Sequence, residues 1–394
     1  MNINCCMVSY SYYKTDHRII KYAESLVKIG YNVDVFCLKM ANDNHRREQV
    51  NGVNVFYVQS RKYNENNILS YFIKILSFFI IGSVFLFLRH LKYHYRIIHI
   101  HNVPDFLIFM AFMPKLFRVK LILDIHDILP EFYCQKFQKE FSSNLVRLLL
   151  MIENLSVHFA DHIIVANDIW NKKIQTRTKS PPHKFTTILN YPEKELLVKR
   201  LQKQNKSNFT IIYPGTLSYL HGVDIAVKAM SLVKKTIPIA QLLIYHRSGN
   251  EDYYNWIKEL IDIYSLETNV QLINPVPYQQ LNQIYQDVDI GVVPKRCGIF
   301  SSEAFSTKIF DFMASKIPII ASRTKVEEYY FDDSLIMFFK SEDHEDLARC
   351  IIELYYDKKK RTSLVTHADQ YIRKNTWIRK KETYNIIINK LINK

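Results

Sequence analysis

Residues 291–322 read GVVPKRCGIFSSEAFSTKIFDFMASKIPIIAS. An apolar run at 290–293 opens the stretch and a second at 317–321 closes it. A loop and a helical segment at 308–314 lie between them. Two short apolar strands joined through a helix make a parallel βαβ unit, because parallel neighbours need a long crossover. Ser306, Thr307 and Lys308 stand where loop becomes helix. Exposed amides and the positive dipole end of a helix start suit a phosphate there. Lys295 and Lys308 add positive charge, and Asp311, one turn in, can accept hydrogen bonds from a ribose diol. A plain structural reading stands beside this: Ser306 as an N-cap and Asp311 on a solvated face.

The same rhythm runs outward in both directions. Strands are predicted at 3–8, 33–38, 53–58, 97–101, 120–125, 162–166 and 187–189, with helices at 18–29, 105–117 and 145–160. Residues 193–208 then turn polar and charged and read as a linker. A second series follows, with strands at 209–213, 240–245, 270–273, 290–293, 317–321 and 335–338. Its helices are expected at 223–234, 253–264, 278–286, 308–314 and 345–357. The expected fold class is α/β: two Rossmann-like doubly wound domains facing a cleft, residues 1–192 and 209–365. Residues 366–394 read as terminal helices that pack back on the first domain.

Composition bounds the function. The chain has 394 residues and a formal net charge of +15, which favours an anionic partner. Only 8 residues are Gly, where average usage of about 7% gives about 28, so each Gly is informative. Six Cys without C-x-x-C spacing read as reduced, mostly buried thiols, not as a disulfide framework or zinc site. Tyr and Phe are spread through apolar segments, which argues against a nucleic-acid surface. Residues 1–8 lack the basic and long apolar parts of a secretory signal.

One segment has the length of a bilayer span: 68–88, ILSYFIKILSFFIIGSVFLFL, with Lys74 as its only charge. Predicted strands lie on both sides of it, and a single crossing would split one sheet across the membrane. It therefore reads as a crossover helix packed on the sheet, or as a helix lying in the membrane interface, with a basic flank (Arg89, Lys92, Arg96) suited to anionic headgroups.

The quoted stretch resembles the acidic-pair signature of family 4 glycosyltransferases, retaining enzymes of the GT-B fold. The family pattern is Glu, seven residues, Glu, then a "GkPVVAS" strand; here it is Glu303, seven residues, Asp311, then KIPIIAS. A surface-polysaccharide subgroup carries "sTKifEfma", similar to 306–314. The resemblance implies that Asp311 holds the nucleotide ribose, that Ser306, Thr307 and Lys308 meet the diphosphate, and that Glu303 lies near the transferred sugar. Asp replaces the family's Glu at 311, and Lys316 stands where the family usually has Gly.

Three further segments agree. Residues 213–222, YPGTLSYLHG, are similar to the first loop of the nucleotide-binding domain, with Gly215, Thr216 and His221 at donor positions. Relatives carry Arg and Lys clamps here, so Lys308, Lys295 or Arg296 must supply the charge; His221 as a plain helix cap remains an alternative. Residues 124–131, DIHDILPE, resemble a "DiHDxxPE" loop, which places His126 and Asp127 at the catalytic centre and Glu131 at the acceptor. Residues 99–105, HIHNVPD, resemble "HvHnxPD", with His101 and Asn102 at the acceptor together with Asp16 and Arg18 of a D-x-R pair. His99, His101 and His126 lack zinc spacing, and Asp287 and Asp289 fall at a helix-to-strand junction, so no metal site is expected.

The resemblance implies a metal-independent hexosyltransferase without cofactor. It takes a nucleotide-sugar donor, foremost a UDP-sugar, and a glycan or polyprenyl-diphosphate-linked acceptor. Capsule, O-antigen, exopolysaccharide or lipopolysaccharide assembly follows, at the cytoplasmic, inner face of the plasma membrane. Rival readings are a sugar-nucleotide epimerase of the same fold, an inactive member acting as a binding subunit, and a non-enzymatic basic binding protein.

Overall fold

Cys5, Cys6, Met7 and Val8 are wholly buried and form the centre of the first sheet. The computed structural model describes residues 3–40, 45–61, 68–192, 208–248 and 250–393. The linker expected at 193–208 lies, save Asn208, outside them. The chain divides into two units, Met1–Asn190 with Lys380–Lys394, and Tyr191–Arg379.

The first unit runs β1 (Asn4–Tyr12), α1 (His17–Lys28), β2 (Asn32–Met40), β3 (Arg47–Val50), β4 (Val53–Arg61), α2 (Ile68–Tyr93), β5 (Ile97–His101), α3 (Phe112–Leu116), β6 (Lys120–Ile125), α4 (Leu129–Phe137), α5 (Asn144–Phe159), β7 (His162–Val165), α6 (Asp168–Thr178) and β8 (Phe185–Thr187). Its sheet order is β3-β4-β2-β1-β5-β6-β7-β8, parallel except for β3 on β4. The second unit runs β9 (Phe209–Leu217), α7 (Val223–Thr236), β10 (Ala240–Ser248), α8 (Glu251–Ile263), β11 (Val270–Ile273), α9 (Tyr278–Tyr285), β12 (Ile290–Val293), α10 (Thr307–Ala314), β13 (Ile319–Ser322), α11 (Lys325–Tyr330), β14 (Met337–Phe339), α12 (His344–Tyr356), α13 (Lys358–Lys374) and the start of α14 (Trp377–Ile392). Its order is β11-β10-β9-β12-β13-β14.

Strand order reverses between β1 and β5 in one unit and between β9 and β12 in the other. In doubly wound sheets such reversals part the loops and leave a crevice at the strand carboxyl ends. The structure adds elements that periodicity did not give. Asp105–Ala111 is a 3-10 turn, and only Phe112–Leu116 is α-helical. α6 has few apolar residues; the Asn167 side chain caps it by accepting from the Trp170 amide at 2.9 Å. The terminal helices divide later than expected. α13 packs on α10 and α12 in the second unit, and the chain joins the first unit only at Lys380.

α2 is the one helix long and apolar enough to cross a membrane among the described residues, yet only 22% of its apolar window is buried. β4 before it and β5 after it belong to one sheet, so a crossing would tear that sheet apart. Its inner face packs through Ile75, Phe78 and Leu86, while Phe72, Ile73, Ile80, Ile81, Val84 and Leu88 each expose half or more of their surface. The reading of α2 as a crossover helix buried on the sheet is thus corrected: one face packs and the rest stays open.

Gly222 caps α7 at φ +64°, and a Cβ there would lie 1.9 Å from the Pro294 carbonyl oxygen. That close approach fixes the β9–α7 turn against the loop after β12. Gly30 also has positive φ, at +91°, but faces open space. Gly222→Ala should cost roughly 3 kcal/mol and Gly30→Ala about 1 kcal/mol, because only the first must also move backbone. Calorimetric unfolding of the two variants checks the difference.

Candidate active site

At the carboxyl ends of β5 and β6 one buried carboxylate gathers four basic side chains. Asp124 is fully buried and receives Arg18 through two bonds, Nε to Oδ2 at 2.8 Å and Nη2 to Oδ1 at 2.7 Å. His126 Nε2 lies 2.9 Å and His101 Nδ1 3.1 Å from Oδ2, with His99 Nε2 at 3.9 Å. Arg18 and the imidazoles hold the Asp124 carboxyl well below the usual carboxylate range despite its burial. Burial pushes His101 down and His99 far down, so both rings are neutral. A carboxylate only accepts, so His126 carries a proton on Nε2 toward Asp124, which leaves Nδ1 outside that bond. Its side chain is 20% exposed.

His99, His101 and Asp124 place ligand atoms within 4.8 Å of one another. Arg18 already occupies both oxygens of that carboxylate, and its guanidinium opposes a cation at the same place. The group reads as a hydrogen-bond network.

Several residues expected at the acceptor are committed inside the unit. Arg18 is 6% exposed, and its remaining Nη1 donates to the Ile188 carbonyl at 2.8 Å and to Asn190 Oδ1 at 3.0 Å. Asn102 is 4% exposed; it donates to Asp105 and to the Asp127 carbonyl and accepts from the His126 amide, which ties the two loops together. Glu131 is buried on Arg177 at 2.6 Å, and the same guanidinium also pairs with Glu153. Asp16 caps α1, accepting from Ile19 and Ser11. These four are positioning groups. His101 and His126 come together on Asp124, and Asp127 stays exposed on the same loop. Sequence reasoning did not single out Asp124 as functional; its signal was an acid closing an otherwise apolar strand, residues 120–125.

In the second unit the donor residues lie on β9, the loop after β12 and α10. A Cβ on Gly215 would meet Lys308 Cε at 2.5 Å, so only Gly lets the lysine lie across the end of β9. Lys308 Nζ sits 5.3 Å from the Tyr213 ring centroid. Burial pushes Lys308 down to about 8, aided by Lys295 and opposed by Asp311. The amides of Thr307 and Lys308 have no partner among the described residues. Thr216 is exposed, and its carbonyl accepts from Tyr213 and from His221 Nδ1 at 3.0 Å. Burial, with Lys308 beside it, drives His221 down to about 4, so it is neutral and is no cationic clamp.

Three other expectations change. Lys295 is 6% exposed and held by Glu327 at 2.9 Å and the Ala304 carbonyl at 2.6 Å. Arg296 is locked on Asp224 by two bonds of 2.8 and 2.6 Å. Glu327 also accepts from the Ser306 amide, which removes that amide from the phosphate-facing set. Glu303 pairs with Lys325 at 2.7 Å. Of the three cations expected to supply charge, Lys308 alone makes no ion pair among the described residues. Glu327 was missed, although Thr324-x-x-Glu327 has capping-box spacing at the start of α11. Lys316 has φ +56° and closes α10 with its amide on the Met313 carbonyl and that of Ile317 on Phe312. This left-handed helix end explains the Gly usual there.

Two doubly wound units with polar side chains at their switch-point strand ends define an α/β ligand-binding enzyme architecture. Two family models match, the glycosyl transferase 4-like domain over residues 17–190 and glycosyl transferases group 1 over 194–371. The chain belongs to the glycosyltransferases of the GT-B type. Its fold is similar to sucrose-phosphate synthase from Thermosynechococcus elongatus (17% identity, all of both chains, TM-score 0.79). It is also similar to Anabaena HepE in complex with UDP-glucose (13%, 99% of this chain and 100% of that one, TM-score 0.74). A third is a glycosyltransferase from Rickettsia africae (14%, 99% of each chain, TM-score 0.72). No curated protein matches by sequence.

Arg18→Met leaves Asp124 charged and buried, and unfolding in urea should show a loss of about 3–5 kcal/mol. Lys325→Ala takes a largely exposed lysine from the buried Glu303 carboxylate and should cost less than Arg18→Met, about 1–3 kcal/mol, by the same unfolding.

Proposed function

We propose that the chain is a retaining, metal-independent hexosyltransferase. It moves a sugar from a nucleotide-sugar, foremost a UDP-sugar, to a glycan or polyprenyl-diphosphate-linked acceptor in surface-polysaccharide assembly. The observation that carries the reading is the Gly215–Lys308 corner. An ammonium without an ion pair and two amides without a partner among the described residues stand at the strand ends where the sheet order reverses. Anabaena HepE, similar in fold, was solved in complex with UDP-glucose, which supports the donor class.

Breaking the anomeric C–O bond puts positive character on the sugar and extra negative charge on the leaving diphosphate. Fixed donors that do not reorganise stabilise that charge. Lys308 and the amides of Thr307 and Lys308 do this at the diphosphate, and Asp311 holds the ribose. The acceptor oxygen forms its bond on the face the diphosphate leaves, and a diphosphate oxygen takes the acceptor proton. His126, fixed by Asp124, offers Nδ1 to a sugar or acceptor hydroxyl. Glu303 and Asp127 stand near the sugar in this reading. The enzyme works at the inner face of the cytoplasmic membrane, against which the open face of α2 lies.

A thermal-shift screen with UDP-, GDP- and dTDP-sugars tests the donor, since ligand bound to the native state raises its stability. An NMR assay of product anomeric configuration tests retention. Release of an altered sugar nucleotide without acceptor would instead mark an epimerase, and no donor binding by the folded chain would mark a binding subunit. Lys308 adds a pH signature. Below about 8 it is charged in the free protein; above, a bound diphosphate must recruit a proton. UDP affinity should therefore hold at pH 7 and fall, by up to about ten-fold per unit, above pH 8. Lys308→Arg should flatten that fall, and Lys308→Ala should weaken binding by about 1.5–3 kcal/mol at pH 7, read by calorimetric titration.

A further inference from the structure

The first unit has a cavity at the amino ends of β5 and β6, the pole opposite Asp124 and His126. Its volume is about 500 Å³. Arg96, Lys115, Arg118 and Lys120 line it against a single carboxylate, Asp161. Lys115 takes that carboxylate at 3.5 Å. Arg96, Arg118 and Lys120 make no ion pair among the described residues. Arg118 holds φ +63° at the end of α3, a left-handed position that disfavours a side chain.

Phe117 joins this cavity to the open apolar face. It lines the cavity, lies 6.2 Å from the Phe87 ring of α2 and is 56% exposed; its neighbour Leu116 is 65% exposed. An anion site whose wall continues into exposed apolar side chains matches a ligand with a phosphate beside hydrocarbon. We infer that the cavity holds the phosphate of an anionic phospholipid while Leu116, Phe117 and the outer face of α2 enter the acyl layer. The inference rests on the proposed membrane location and names its lipid class. It sets α2 and α3 flat on the leaflet, with the strand carboxyl ends about 15 Å away along β5.

The test is co-sedimentation of the full chain with vesicles of phosphatidylcholine alone or with about one third phosphatidylglycerol. Wild type should bind the anionic vesicles at least about ten-fold more tightly. Arg118→Glu with Lys120→Glu should lose that preference, keep residual binding to phosphatidylcholine and keep its UDP-induced thermal shift. Lys28→Glu, at the exposed end of α1 and outside the cavity lining, should leave the preference intact. Leu116→Ser with Phe117→Ser should weaken binding to both vesicles. Two results overturn the inference alone: an unchanged preference in the double Glu variant, or full displacement from vesicles by millimolar glycerol phosphate, which would make the site one for a soluble anion. Failure of wild type to bind either vesicle overturns the membrane location as well.

Discussion

A cation removed from water must find a carboxylate or shift toward its neutral form. That constraint sorts this chain's basic groups. Arg18 finds Asp124, Arg177 finds Glu131 and Glu153, Lys295 finds Glu327, and Arg296 finds Asp224. These pairs are struts. Glu327 holds both Lys295 and the Ser306 amide, and so sets where α10 begins. Arg296 ties the loop after β12 to the start of α7 through Asp224 and the Tyr219 carbonyl. Lys308 takes the other course and shifts down to about 8. A group held in that unsatisfied condition gains most when an anion arrives.

The frame was legible because buried parallel strands are short apolar runs and their crossovers have helical period. The order of alternation alone gave two doubly wound units. α6 escaped because its apolar residues are few, and the segment at 105–117 because its start is wound as a 3-10 turn. The site was legible only as a set of positions. Pairs such as Arg18 with Asp124, 106 residues apart, have no local signature, so the spacing that nominated Arg18 could not show that its guanidinium is enclosed. Lys295 and Arg296 were nominated by charge and position, and burial reassigns both.

α2 was ambiguous for a different reason. A helix apolar all round carries no polar face to tell which side is outward. Only packing breaks that symmetry. Phe78 sits against Tyr10 at 5.1 Å between ring centroids and Phe85 against Phe36 at 4.9 Å, which fixes the inner side and leaves Ile73, Ile80 and Val84 outward. Exposed apolar side chains grouped on one face in this way mark interaction sites.

The departures from the family pattern then form one set. His221 is neutral where relatives carry a clamp, Asp311 has a shorter arm than Glu, and one lysine supplies the free charge. In the proposed reading Lys308 and the oriented amides of Thr307 and Lys308 act together on a diphosphate, and Gly215 leaves the lysine its place. Charge–charge attraction at an open site weakens as salt rises, while aligned amide donors at a closely fitted site depend on geometry. On that reading the amides supply orientation and the lysine supplies charge. A separate cluster of four cations, Arg96, Lys115, Arg118 and Lys120, stands against the single carboxylate of Asp161 at the amino ends of the first sheet.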